Sequence, residues 1–368
     1  MATISNWHLE DEAPAHSNGH ILRRSAPIGA ALVGCGYWGP NLARNLSETT
    51  EFHLHALCDQ DPNPLRALGR KHPHALVLAD FEEVLADDAV EAVVIATPPA
   101  THAPLAKQAL LAGKHVLVEK PLAMTLSDGL EIAELAKASG LTLMPGHTFV
   151  YSPAVNTVRK LIEEEVVGDI HFATSSRMNL GKYQRDGVVC DLAPHDLSIL
   201  LYWLKEHVVE VAAYGSCVFR EDVAETAFVT LTFASGTTAN VQLSWLAPRK
   251  VRQMIVVGSK RMVQYDDTAA DEPVRVYDRG MDVGAPSSFG EHQLVYRSGD
   301  VVIPRVDAYE PLSLELQDFA HAIRTGEEPR SNVSLGLEIV AAVEMAEASM
   351  QQNGTPQACV RPAVPAAA

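Results

Sequence analysis

Between residues 28 and 144 the chain repeats one pattern six times, a short apolar run followed by a stretch with helical spacing. The runs are Ile28 to Val33, Phe52 to Cys58, Ala75 to Leu78, Ala92 to Ala96, His115 to Val118 and Leu141 to Met144. Strands that are apolar on both faces must be covered on both faces. Helices between successive strands supply that cover when the strands run parallel. The pattern therefore predicts an α/β fold with a doubly wound parallel sheet. Helix-start chemistry agrees: in Asp80-Phe81-Glu82-Glu83 an aspartate can cap a helix and a glutamate stands three residues later.

After about Gly146 the rhythm changes. Val229 to Phe233 and Ala239 to Trp245 alternate apolar and polar residues, with Ser235-Gly236 as a hairpin connection. This predicts an open antiparallel sheet with one covered side. Ile170 to Ser175, Val208 to Val218, Met254 to Val257 and Val274 to Tyr277 are further strand candidates. Helical patterns at Leu312 to Arg324 and Leu335 to Met350 close the domain, with Gly326 and Gly354 as stops. The expected organisation is a flexible arm over 1–26, a nucleotide-binding domain over 27–145, an α+β substrate and oligomerisation domain over 146–355, and a loose tail over 356–368.

The 368 residues suffice for two cores, and 47% hydrophobic with 20% charged residues fits a globular protein. No run reaches the roughly 18 apolar residues that would cross a bilayer, and the N-terminus lacks a secretory layout, so a cytoplasmic location without membrane contact is expected. A formal charge of −17 repels phosphate backbones, which excludes nucleic acid as a general partner. Cys35, Cys58, Cys190, Cys217 and Cys359 are odd in number and widely spaced, as expected of reduced thiols.

Gly34-Cys35-Gly36-Tyr37-Trp38-Gly39 follows the first strand and opens a helix-compatible stretch. Glycines here allow a tight turn, a close approach of backbone to pyrophosphate and close packing of helix on strand, while the helix N-terminus offers free N–H groups. Asp59 ends the second strand 20 residues later, where a carboxylate can accept from both adenosine ribose hydroxyls and repel a 2′-phosphate. The set predicts a Rossmann domain for NAD rather than NADP. Thr97 and Pro98 fall where an extended loop would line the nicotinamide crevice; His102, just beyond, is either a cofactor contact or a surface histidine. Glu119-Lys120-Pro121 ends the fifth strand, which places Lys120 at the pocket mouth, able to stabilise charge on a reacting oxygen.

Further on, Asp191-Leu-Ala-Pro194-His195 opens a helical run, with proline tolerated in a first turn. Four residues apart on one face, Asp191 could orient the imidazole of His195, whereas Asp196 is rotated away by about 100° and could anchor the helix. No metal site is expected, because Asp191 and His195 lack a further ligand cluster and His147 is distant in sequence.

In order, Gly34-x-Gly36-x-x-Gly39, Asp59, Thr97-Pro98-Pro99, Glu119-Lys120-Pro121, Gly146-His147 and Asp191-x-x-x-His195-Asp196 resemble the glucose-fructose oxidoreductase, inositol dehydrogenase and MocA (Gfo/Idh/MocA) family over about residues 28 to 350. The resemblance implies a Rossmann domain joined to an open sheet domain, and Lys120, Asp191 and His195 as the proton-transfer set. It also implies that His147, Phe149, Tyr151, Arg177, Asn179, Lys182, Tyr183 and Arg185 lie in segments bordering the substrate. The stretch from Arg177 to Asp196 is similar to members that modify nucleotide-linked sugars, which implies oxidation of a sugar hydroxyl at C3, with Arg177 or Arg185 holding a diphosphate. An aminoglycoside or a free cyclitol stays open as substrate, as does an NADP-dependent ketosugar reductase or a non-catalytic nucleotide sensor. The family's habit of packing its C-terminal sheets implies a homodimer or homotetramer.

Overall fold

The computed structural model describes residues 26–181, 186–283 and 294–362. The first layer is built from β1 (Ile28–Val33), α1 (Gly39–Glu48), β2 (Phe52–Cys58), α2 (Pro62–Gly69), β3 (Leu76–Leu78), α3 (Phe81–Ala86), β4 (Ala92–Ile95), α4 (His102–Leu111), β5 (His115–Glu119), α5 (Leu126–Ser139) and β6 (Leu143–Gly146). The six strands are all parallel in the order β3-β2-β1-β4-β5-β6. The order reverses between β1 and β4, and such a switch point opens the crevice in which this architecture binds ligands. Asp80 caps α3 by accepting from the N–H of Glu82 at 3.0 Å, as its sequence position predicts.

The second layer follows α6 (Pro153–Glu163) and contains β7 (Ile170–Leu180), α7 (Gly187–Leu204), β8 (Val208–Ser216), β9 (Thr226–Phe233), β10 (Thr238–Ser244), β11 (Leu246–Gly258), β12 (Met262–Asp266), β13 (Val274–Val283) and β14 (Leu294–Val302). Two helices close it, α8 (Pro311–Thr325) and α9 (Val333–Gln351), and β15 (Gln357–Ala358) joins its edge. The sheet is mixed rather than wholly antiparallel, because β7 and β10 pair in parallel. The connection between them carries α7 and the β8–β9 hairpin, long enough to return the chain in the same direction. Alternation behaves as its period requires: Ala227, Val229, Leu231 and Phe233 face inward opposite Ala239, Val241 and Leu243, under α7 and α9. The other face leaves Phe172, Tyr214 and Phe228 exposed.

The two last helices tie the layers together. Along α8, Leu312, Leu316, Phe319 and Ala320 form one stripe that packs under β1 and β2, with Phe319 stacked on Phe52 at 5.8 Å. α9 is apolar nearly all round, and turns Leu337 and Val340 toward the first sheet but Ile339, Ala342 and Ala346 toward the second. This packing cuts across the linear division expected at residue 146. It sets α8 and its acidic residues beside the carboxyl end of β5. No helix among the described residues is long and apolar enough to cross a membrane.

Candidate functional site

The glycine turn is shaped by backbone proximity. Gly34 has φ +101°, and a Cβ on it would lie 2.5 Å from the carbonyl oxygen of Ala96; a Cβ on Gly39 would lie 2.5 Å from the Gly34 carbonyl oxygen. Around Gly36 nothing stands within 4 Å of a notional Cβ. Two glycines thus serve the turn itself, and the third leaves open space in front of the N-terminus of α1, which no side chain caps. That is the space a pyrophosphate needs. Tyr37 is 88% exposed over it, and the partly exposed Trp38 follows it.

Asp59 stabilises the same turn: its Oδ2 accepts from the Cys35 N–H at 2.7 Å and its Oδ1 from the Asp61 N–H at 2.8 Å. Each oxygen keeps a second lone pair for a ribose hydroxyl. Asp59→Ala is expected to weaken NAD binding about tenfold and to narrow its advantage over NADP, by loss of charge-assisted hydrogen bonds and of the repulsion of a 2′-phosphate. A fluorescence titration with both dinucleotides checks this; unchanged affinities would refute the assignment.

Thr97 and Pro98 form the loop after β4, and His102 proves to be neither a surface group nor a free ligand for the cofactor. It is buried, with Nδ1 2.7 Å from the Pro121 carbonyl oxygen and Nε2 2.8 Å from that of Thr97. Both ring nitrogens are occupied, so the side chain ties the Thr97 loop to the Lys120–Pro121 segment, whose peptide bond is cis.

Lys120 Nζ donates to the Asp191 carbonyl at 2.7 Å and to Asp191 Oδ1 at 3.2 Å. The other carboxylate oxygen, Oδ2, accepts from the Trp245 indole N–H at 3.1 Å. The expected bond from Asp191 to His195 is therefore replaced by bonds to Lys120 and Trp245. α7 begins at Gly187, so Pro194 lies in its interior and not in its first turn. Having no N–H, Pro194 leaves the Cys190 carbonyl one turn back without its helical partner.

Among the described residues the His195 imidazole has no hydrogen-bond partner; it makes an edge contact with Phe149 at 5.2 Å between centroids. Burial and the charges of Lys120, Arg177 and Arg252 hold its pKa well below the ordinary histidine value. His147 is buried with both ring nitrogens unpartnered among the described residues, and burial together with Lys120 pushes it down to about 3. Both imidazoles are thus neutral at pH 7, and neutral imidazole is the form that accepts a proton.

Two side chains implied as substrate contacts have other partners. Tyr151 is 1% exposed, its hydroxyl donating to Asp318 Oδ2 at 2.7 Å and accepting from the Ser331 N–H at 3.1 Å, so it clamps α8 and the start of α9. Arg177 is 2% exposed and forms an ion pair with Asp196, 2.7 Å between Nη2 and Oδ1. Asn179 lies half-buried two residues further along β7, on the same face. Lys182, Tyr183 and Arg185 lie outside the described residues.

Sequence reasoning missed Trp245 and Glu315. Trp245 reads as the last residue of an alternating strand, yet its ring fills the space above Gly181, where a Cβ would lie 2.5 Å from Cδ1. Glu315, buried on α8, accepts from Thr148 Oγ1 at 2.8 Å and lies near Glu119; burial raises the pKa of both carboxyls. The five cysteines are free thiols.

Comparison with known proteins agrees with this geometry. The oxidoreductase family model with an NAD-binding Rossmann fold (GFO/IDH/MocA) matches residues 28–147, and the C-terminal domain model of the same family matches residues 155–264. A solved oxidoreductase structure from Magnetospirillum magnetotacticum MS-1 is 30% identical, with 86% of this chain and 99% of that one covered and a TM-score of 0.73. GenD2 from gentamicin A biosynthesis, solved in complex with NAD, is 25% identical over 91% of this chain and 97% of its own, with a TM-score of 0.76. The scyllo-inositol 2-dehydrogenase (NAD(+)) of Bacillus subtilis (strain 168) is 25% identical over 346 residues, 89% of this chain and 95% of its own. With both domain models matched in order and a Rossmann crevice shaped for the dinucleotide, the chain belongs to the GFO/IDH/MocA family of NAD-binding oxidoreductases.

Proposed function

We propose that this enzyme oxidises a secondary hydroxyl of a cyclic polyol to a ketone, the hydroxyl being C3 where the substrate is a sugar. The polyol is a sugar, a nucleotide-linked sugar, an aminoglycoside-type glycoside or a cyclitol. The observation that carries the reading is Lys120, which extends from the end of β5 into the crevice and is fixed by Asp191 beside an unpartnered, neutral His195. His195 accepts the hydroxyl proton. Lys120 donates a hydrogen bond to the oxygen as negative charge develops on it. Asp191, bound to Trp245, holds the ammonium in place. Gly34, Gly36 and Gly39 would hold the pyrophosphate of NAD and Asp59 its ribose, and the nicotinamide would supply the hydride acceptor. The alcohol loses a proton and a hydride and becomes a ketone, so the electrons balance.

The substrate class draws on similarity to an inositol dehydrogenase and to a gentamicin-pathway protein. Arg177 gives less support to a bound diphosphate, because its guanidinium is paired with Asp196. Assembly into a dimer or tetramer through the outer face of the nine-stranded sheet, where Phe172 and Phe228 are exposed, belongs to the same proposal. The test is NADH formation, with mass spectrometry of the product, across cyclitols, aminoglycosides and nucleotide-linked sugars. A product lighter by two hydrogens in one class is the expected result. NAD binding without turnover on any of the three would overturn the reading.

A further inference from the structure

The geometry points to Arg177, clamped by Asp196 and laid against Phe149, as a positioning residue that fixes both the place and the charge state of the His195 imidazole. The inference rests on the reading of His195 as the base.

The parts come from different elements. β7 turns Arg177 inward, where its Nε donates to Asp196 Oδ1 at 2.8 Å and its Nη2 forms an ion pair with the same oxygen at 2.7 Å. Asp196 is the residue next to His195 on α7. The guanidinium carbon stands 4.7 Å from the centre of the Phe149 ring, and that ring meets the imidazole edge-on at 5.2 Å and 74°. Arg177, Phe149 and His195 therefore form a continuous stack from the sheet to the helix that carries the base.

The arrangement is expensive if its purpose is stability. Both charged groups are almost fully buried, and among the described residues Arg177 Nη1 and Asp196 Oδ2 have no partner. A buried pair with unmet hydrogen bonds is often no better than an apolar pair of the same volume. Moreover, Arg177 stands directly opposite Arg252 in the β7–β11 register, a like-charge juxtaposition that costs stability. Arg252 turns to Asp267, with Nη1 2.9 Å from Oδ2.

The consequence falls on the imidazole. Burial acts on it first, then Lys120 at the end of β5, Arg177 on β7, Arg252 on β11 and His147 after β6; its own helix also carries Asp191, bound to Lys120 and Trp245, and Asp196, bound to Arg177. Each nearby cation opposes protonation of His195. Arg177 does so while held by a hydrogen bond and an ion pair to Asp196 and by an aromatic face.

The experiment follows the His195 imidazole by NMR titration in the NAD-bound enzyme, alongside the pH dependence of kcat and kcat/KM. Arg177→Met is expected to raise the His195 midpoint, by about tenfold in proton affinity. Asp196→Asn is expected to lower it. Opposite shifts are what a charge effect produces and a general loosening of the fold does not. Arg177→Lys keeps the charge without the two-point clamp, so its midpoint stays near wild type while kcat falls and the KM for NAD holds. Because either single neutralisation leaves a lone buried charge, the double variant Arg177→Met/Asp196→Leu provides a folded reference, and its midpoint is also expected to rise. An unmoved midpoint in both Arg177→Met and the double variant overturns the inference. A moved NMR midpoint with an unmoved rate profile upholds it and removes His195 as the base.

Discussion

His195→Ala is expected to lower kcat about a thousandfold, the range lost when a positioned general base is removed, while NAD affinity stays near wild type. The imidazole meets Phe149 edge-on and is carried on α7, outside the glycine turn and Asp59, so under the proposed reading dinucleotide binding does not depend on it. The pH profile carries a second signature. Because burial and three cations hold the His195 pKa well below 6.5, the wild-type rate should not fall on the acid side until well below that value. The variant should lose that limb. Stability follows the same linkage: the unfolded chain takes up a proton on this histidine near its ordinary pKa, whereas the folded protein does not. Between the two values the unfolded state binds more protons, and stability rises with pH. His195→Ala should therefore unfold with less acid sensitivity in that window. Turnover equal to wild type at every pH would show that another group takes the proton.

Lys120→Met should cost between about a hundred- and a thousandfold in kcat, the loss seen when one donor to a developing oxyanion is removed. The effect should fall on kcat more than on the KM for the polyol, since the bond to the oxygen strengthens as charge develops. Lys120→Arg should not restore the rate. The guanidinium is larger and its donors are fixed in one plane, so it cannot take the place of the compact ammonium that meets the Asp191 carbonyl and Oδ1 and points its third donor at the substrate oxygen. Steady-state kinetics with NAD saturating separate these outcomes. A Lys120→Met enzyme with nearly full kcat and a raised KM would reduce this lysine to a binding group.

The legible part of this protein is the part governed by local spacing. The first five apolar runs lie on strands at or within a residue or two of their expected limits, and the sixth lies two residues further along. Inward-facing Val229, Leu231, Val241 and Leu243 follow from period-two alternation. Gly34, Gly36 and Gly39 were readable because a turn against a neighbouring strand forbids side chains at set positions. Pro194 was misread because a proline in a helix interior and one in a first turn look alike in sequence. Only the upstream start of α7 at Gly187 separates them.

The sequence by itself determined two sheets, the glycine turn of a nucleotide crevice and the order of Lys120, Asp191 and His195 along the chain. Backbone conformation and burial follow the periodicity of neighbouring residues, which is written in order along the chain. The tertiary structure alone decided which charge meets which. Asp191 is four residues from His195, yet it bonds Lys120, 71 residues upstream, and Trp245, 54 residues downstream. Arg177 was expected at the substrate and is held by Asp196; Tyr151 was expected there and is held by α8. Hydrogen bonds and ion pairs are won by whichever partner the packed layers bring within hydrogen-bonding distance, and the spacing of residues along a strand or helix carries no record of that choice.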